Sequence, residues 1–127
     1  MNYQLNNIII LYSFGISFWL VLVFYREYYK KDIYFLRKCF IPKLCNGWCL
    51  LHFFHYTFLG YLAPDYWHYL IFFGIIFEII EIPLNYLSSY IDSKLIMDTI
   101  TNTLGIIFGI LLYKFYPKNI DLLSIVS

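Results

Sequence analysis

The chain of 127 residues is 61% apolar and 24% aromatic, with 13% charged residues and a net charge of +1. Soluble domains average about 45–50% apolar and about 25% charged residues, so this composition excludes a disordered chain and argues against a soluble one. The balanced charge, with no basic stripe carrying stacking aromatics, also excludes a general nucleic-acid binder.

A helix needs about 20 mostly apolar residues to cross the hydrocarbon core of a bilayer. Four segments qualify, at 7–25, 44–63, 66–87 and 95–116. The expected fold is all-α, an integral membrane four-helix bundle forming one domain over 1–127. No strand alternation is sustained, which argues against a barrel.

The first segment, 7–25, contains no charge. No cation precedes it and no small-residue cleavage site follows it, so it reads as a retained anchor helix and not a signal peptide. Six of the nine cations come next, Arg26, Lys30, Lys31, Arg37, Lys38 and Lys43. The three cysteines, Cys39, Cys45 and Cys49, are odd in number and lack CxxC spacing. They read as reduced thiols at a cytosolic face, with lipidation of Cys39 or Cys45 as the alternative.

The second segment, 44–63, carries His52 and His55, and the third, 66–87, carries Glu78 and Glu81. Pro42, Pro64 and Pro117 fall at segment ends, whereas Pro83 should kink or end the third helix. The fourth segment, 95–116, carries Asp98 and Asn102. With Lys94, the basic 26–43 stretch puts seven cations on one side against Lys114 and Lys118 on the other. The positive-inside rule then places both termini outside the cytosol, or in a lumen. Trp48, Tyr66, Trp67 and Tyr116 lie near span ends, where aromatic anchors sit.

Charged residues at a helix centre cost roughly 2.5–3.5 kcal/mol each on insertion scales. Glu78, Glu81 and Asp98 are therefore informative. Glu78, Glu81 and Asn85 share one helical face, as do Asp98, Asn102, Gly105 and Gly109, and His52 and His55 stand at i, i+3. Counted along their helices, His52, Glu78, Glu81, Asp98 and Asn102 fall at similar depth and predict one intramembrane polar layer. Gly105 and Gly109 predict a close helix-packing face.

From His52 to Gly109 the chain resembles the VanZ-like family of small polytopic membrane proteins, and related uncharacterised families from bacteria and large DNA viruses. The resemblance runs through His52, Leu59-Gly60-Tyr61, Pro64, Trp67, Phe77-Glu78-Ile79-Ile80-Glu81, Asp98, Asn102, Gly105 and Gly109. Many members have Gln a few residues after the acidic position, where this chain has Glu81 and Pro83, and many carry two aspartates before the Asn, where Asp92 stands in for the first. The resemblance implies a multi-pass membrane protein whose biochemical activity is unsettled.

Four functions fit these residues. One is an intramembrane enzyme or binding site for a lipid or other amphiphile, with His52 as general acid or base, Glu78 orienting it and Asp98 near the mouth. In that reading a protonated Glu81 bonds His55. The second is a metal-dependent enzyme, with His52, His55, Glu78 and Glu81 as candidate ligands beside Asp98. The third is a structural or assembly protein of a viral or internal membrane, acting as a homo-oligomer or within a membrane complex. The fourth is a proton or ion path through an oligomer. No phosphate loop, nucleophile elbow or HExxH run is present, and no particular cofactor is indicated.

Overall fold

Helix α1 (Tyr3–Tyr29) runs one turn beyond the predicted apolar stretch at each end. Its start is set by Asn2, whose side-chain oxygen accepts from the Gln4 amide at 2.9 Å. Its end is set by Lys30, which takes a left-handed conformation at φ 52°. This picture comes from a computed structural model that describes residues 2–31, 33–37, 39–41, 45–87 and 95–126. Lys38, Pro42, Lys43, Asp92 and Lys94 lie outside the described residues, as do the side chains of Arg37, Cys39 and Cys45.

The basic stretch, expected as loop, carries a short helix α2 (Tyr34–Arg37) and a two-stranded antiparallel hairpin. Strand β1 (Cys39–Ile41) pairs with β2 (Cys45–Asn46), Cys39 opposite Asn46. Helix α3 (Gly47–Leu62) follows directly, and Asn46 caps it by accepting from the Cys49 amide at 3.1 Å. That cap makes α3 only 16 residues long, or about 24 Å at 1.5 Å per residue. It is shorter than the hydrocarbon core of about 30 Å.

Pro64 opens a 3₁₀ turn (Pro64–Tyr66) that leads into α4 (Trp67–Leu84). Pro83 occupies the last turn of α4, and the helix stops one residue later. Helix α5 (Leu95–Phe115) occupies the predicted fourth segment, and a short α6 (Leu122–Val126) returns to pack on α1.

Three helical stretches are long and apolar enough to cross a membrane: Tyr3–Tyr29, Pro64–Leu84 and Leu95–Phe115. Only 11–22% of the residues in their most apolar windows are buried inside the protein. Phe14, Phe24, Phe72, Ile96 and Phe115 all project outward. In water such surface would cost about 25 cal/mol per Å², whereas against lipid tails it costs nothing.

Helix α3 lies at the centre and packs most closely on α5. A methyl group at Gly60 would collide with the Ile106 backbone carbonyl, and one at Gly109 with the Thr57 carbonyl. At Gly105 it would stand 2.7 Å from the Phe53 carbonyl. The two backbones are thus in contact, as small-residue stripes permit. The apolar core, Ile8, Tyr56, Leu59, Ala63, Leu70 and Ile106, gathers toward the end of α3 that meets α4.

Cys49 is disulfide-bonded, whereas the sequence reading expected reduced thiols. Trp48, expected as an interfacial anchor, is instead buried, with the Arg26 guanidinium 5.2 Å above its ring. Arg26 is itself fully buried in the last turn of α1, stacked on that ring as a cation–π pair.

Candidate functional site

The first half of α3, the second half of α4 and the start of α5 bring three titratable side chains together. A ring nitrogen of His52 and carboxyl oxygens of Glu78 and Asp98 all lie within 4.8 Å of one another. His52 Nδ1 is 4.0 Å from Glu78 Oε1, and Asn102 donates from Nδ2 to the same Glu78 oxygen at 3.3 Å. Glu78 and Asn102 are 2% and 3% exposed, so the contact is cut off from bulk solvent. His52 is partly open, with 22% of its side chain accessible.

Helical periodicity explains the assembly. Asp98 and Asn102, one turn apart, share the face of α5 that meets α4, and Glu78 answers from α4. His52 stands five residues into α3, about 7.5 Å from its start. The capped start of α3 places it nearer that helix end than the 44–63 segment implied.

Four of the five residues predicted to share a layer therefore meet: His52, Glu78, Asp98 and Asn102. Glu81 sits a turn further along α4, on the wall of the adjoining cleft, outside the three-residue group. His55, a weak candidate ligand, also lines the cleft but turns toward α1. Its ring stacks edge-on to Tyr12 and Tyr56, with centroids 6.0 and 5.6 Å away. Gly15 makes room for it, since a methyl there would stand 2.9 Å from the imidazole. The i, i+3 spacing suggested that His52 and His55 act together. They differ because α1 covers one side of α3, and α4 and α5 the other.

The cluster is incompletely bonded. Among the described residues, His52 Nδ1, Glu78 Oε2 and Asn102 Oδ1 are buried atoms with no hydrogen-bond partner. Leaving such a group unpaired costs about 1–3 kcal/mol each. The carboxyl groups of Glu78 and Asp98, held within 4.8 Å of each other, would repel if both were ionised. A proton or a cation between Glu78 and Asp98 relieves that repulsion.

A cleft of about 450 Å³ opens beside the cluster, between α1, α3 and α4. Its walls are Phe14, Ile16, Phe18 and Trp19 on α1, Leu51, Phe54 and Phe58 on α3, and Phe77 and Ile80 on α4. Polar groups enter it from His52, His55, Glu78 and Glu81. Its volume falls within the roughly 300–1,000 Å³ range of small-molecule sites, and its mixture of apolar walls with a few polar groups is typical of them.

A second polar network lies at the opposite end of α1, and the sequence reading missed it. Asn7, fully buried, donates to the carbonyls of Leu62 and Ile120 at 3.0 and 2.7 Å and accepts from the Leu122 amide at 2.9 Å. Gln4 donates to Asp65 at 2.9 Å and accepts from its amide at 3.0 Å. Here the buried amides find partners, and the network fastens α1 to the α3–α4 turn and the C-terminal segment. Asn and Gln at a helix start look like ordinary end residues in sequence, so nothing local marks them as buried. No family model, curated protein or solved structure matches the chain.

Proposed function

We propose that the chain is a multi-pass membrane protein of VanZ-like type that holds an amphiphile. The apolar tail occupies the cleft between α1, α3 and α4, and the headgroup meets His52, Glu78 and Asp98. In this reading α1, α4 and α5 span the bilayer, with the shorter α3 enclosed as the fourth helix of the bundle. The observation that carries the reading is an apolar cleft of about 450 Å³ ending on buried polar atoms that the described residues leave unpaired. Packing alone favours the opposite design, in which buried polar groups are satisfied, as Asn7 is.

His52 is the group suited to move a proton, since a neutral imidazole both donates and accepts. Glu78 stands 4.0 Å from that ring and is itself held by Asn102. Glu81 and His55 line the cleft and contact the bound molecule between headgroup and tail. The cation count places the 26–43 stretch on the cytosolic side and both termini on the other. The disulfide at Cys49 pulls the other way, because disulfides persist in oxidising compartments.

The test is lipid analysis of purified protein after extensive detergent washing. Wild type retains one amphiphile class near one per chain, and Glu78→Gln retains at least tenfold less at equal folded yield. Equal lipid content in both samples, or none in wild type, contradicts the reading and favours a structural role in the membrane.

A further inference from the structure

We infer that His52, Glu78 and Asp98 form a site for one divalent transition-metal ion of the zinc, iron(II) or manganese class. Three observations support this beyond the amphiphile reading, and it does not depend on that reading. The three donor atoms come from three different helices and lie within 4.8 Å of one another. Metal bonds of about 2.0–2.2 Å set neighbouring ligand atoms roughly 3–4 Å apart, so shifts of about 1 Å at the side-chain tips close the site. The donors are one imidazole and two carboxylates, a set that suits those ions and lacks the thiolates of structural zinc sites.

The bonding of the cluster points to a missing partner. Glu78 is 2% exposed and its Oε2 has no partner, and His52 Nδ1 is likewise unpaired and buried. Among the described residues, the basic group within 4.0 Å of Glu78 is His52 itself, and no Lys or Arg reaches it. A divalent cation accepts the free lone pairs of Glu78 Oε2 and His52 Nδ1 and offsets the charge of the buried Glu78 carboxylate. Asn102 holds the Glu78 carboxyl in place through its hydrogen bond at 3.3 Å, the part outer partners play around metal ligands. Three protein ligands leave open positions for water or an anionic headgroup, as in catalytic metal sites.

The arrangement differs from the ligand set that spacing suggested. His55 and Glu81 drop out of it, and His52, Glu78 and Asp98 remain.

The experiment loads chelator-stripped full-length protein in detergent with Zn²⁺ alone and measures bound metal after desalting. One Zn²⁺ per chain is expected. His52→Gln and Asp98→Asn should each weaken binding at least tenfold, Asn102→Ala by about tenfold, and His55→Gln should leave it unchanged. X-ray absorption at the zinc edge of wild type needs no variant and should show nitrogen and oxygen donors with an imidazole signature. No Zn²⁺ above a detergent blank, a sulfur shell, or unchanged binding in folded His52→Gln and Asp98→Asn overturns the site. Zn²⁺ bound without any retained lipid supports the metal site while removing the amphiphile reading. Retained lipid without Zn²⁺ removes the metal site alone.

Discussion

Asn7 and Glu78 are both buried among apolar side chains, yet they are bonded differently. Asn7 makes three hydrogen bonds that join α1 to Leu62, Ile120 and Leu122. Glu78 has one at 3.3 Å and an orphaned oxygen. Net contributions of about 0.5–1.5 kcal/mol per bond, plus carbonyls left unpaired, make Asn7→Ala destabilising by about 2 kcal/mol. Thermal unfolding in detergent should show a clearly lowered midpoint for Asn7→Ala, and an unchanged one would remove its structural role. The chemistry-bearing residues were legible in the sequence because charged and strongly polar side chains inside apolar segments are rare and conspicuous. His52, Glu78, Asp98 and Asn102 stood out on that ground alone. Asn7, Gln4 and Arg26 did not, since their burial depends on which distant segments fold back over them.

At the scale of elements, the contact between α3 and α5 is set by glycine. Gly60 and Gly109 each face a partner backbone carbonyl that cannot yield. Gly74 faces the Tyr56 hydroxyl at 3.2 Å, a longer contact and with a side chain, not a backbone carbonyl. Gly60→Ala and Gly109→Ala should therefore separate α3 from α5 and cost about 1–3 kcal/mol or more, while Gly74→Ala costs less. Folded yield across the three variants checks the order, and equal yields would contradict the backbone contact. The helix stretches were legible from apolar length, but their ends were not. Apolar residues continue from Leu44, yet β2 and the Asn46 cap delay α3 to Gly47. That delay makes the second predicted span too short to cross unaided. Pro83 behaved as its missing N–H dictates, ending α4 within a residue.

For the whole molecule, the outward apolar surface of α1, α4 and α5 matches a lipid environment, and the polar cluster lies toward the end of α3 that follows the basic stretch. Orientation rests on two indicators that disagree, seven cations against two on one hand and the Cys49 disulfide on the other. The disulfide predicts that Cys49 resists alkylation in intact cells until a reductant is added. Alkylation without reductant would return that end of α3 to the reducing side, where the cation count puts it. In the proposed function the cluster is a binding site maintained at a cost in stability. The most direct measurement takes melting temperature and bound lipid on the same purified samples of wild type, Glu78→Gln and Asp98→Asn. Both variants should melt at or above the wild-type temperature, compared after delipidation, while losing the bound amphiphile, as expected when function is held against stability. Variants that melt well below wild type and a wild type that carries no lipid would contradict it, and would make the cluster a packing feature of the helices.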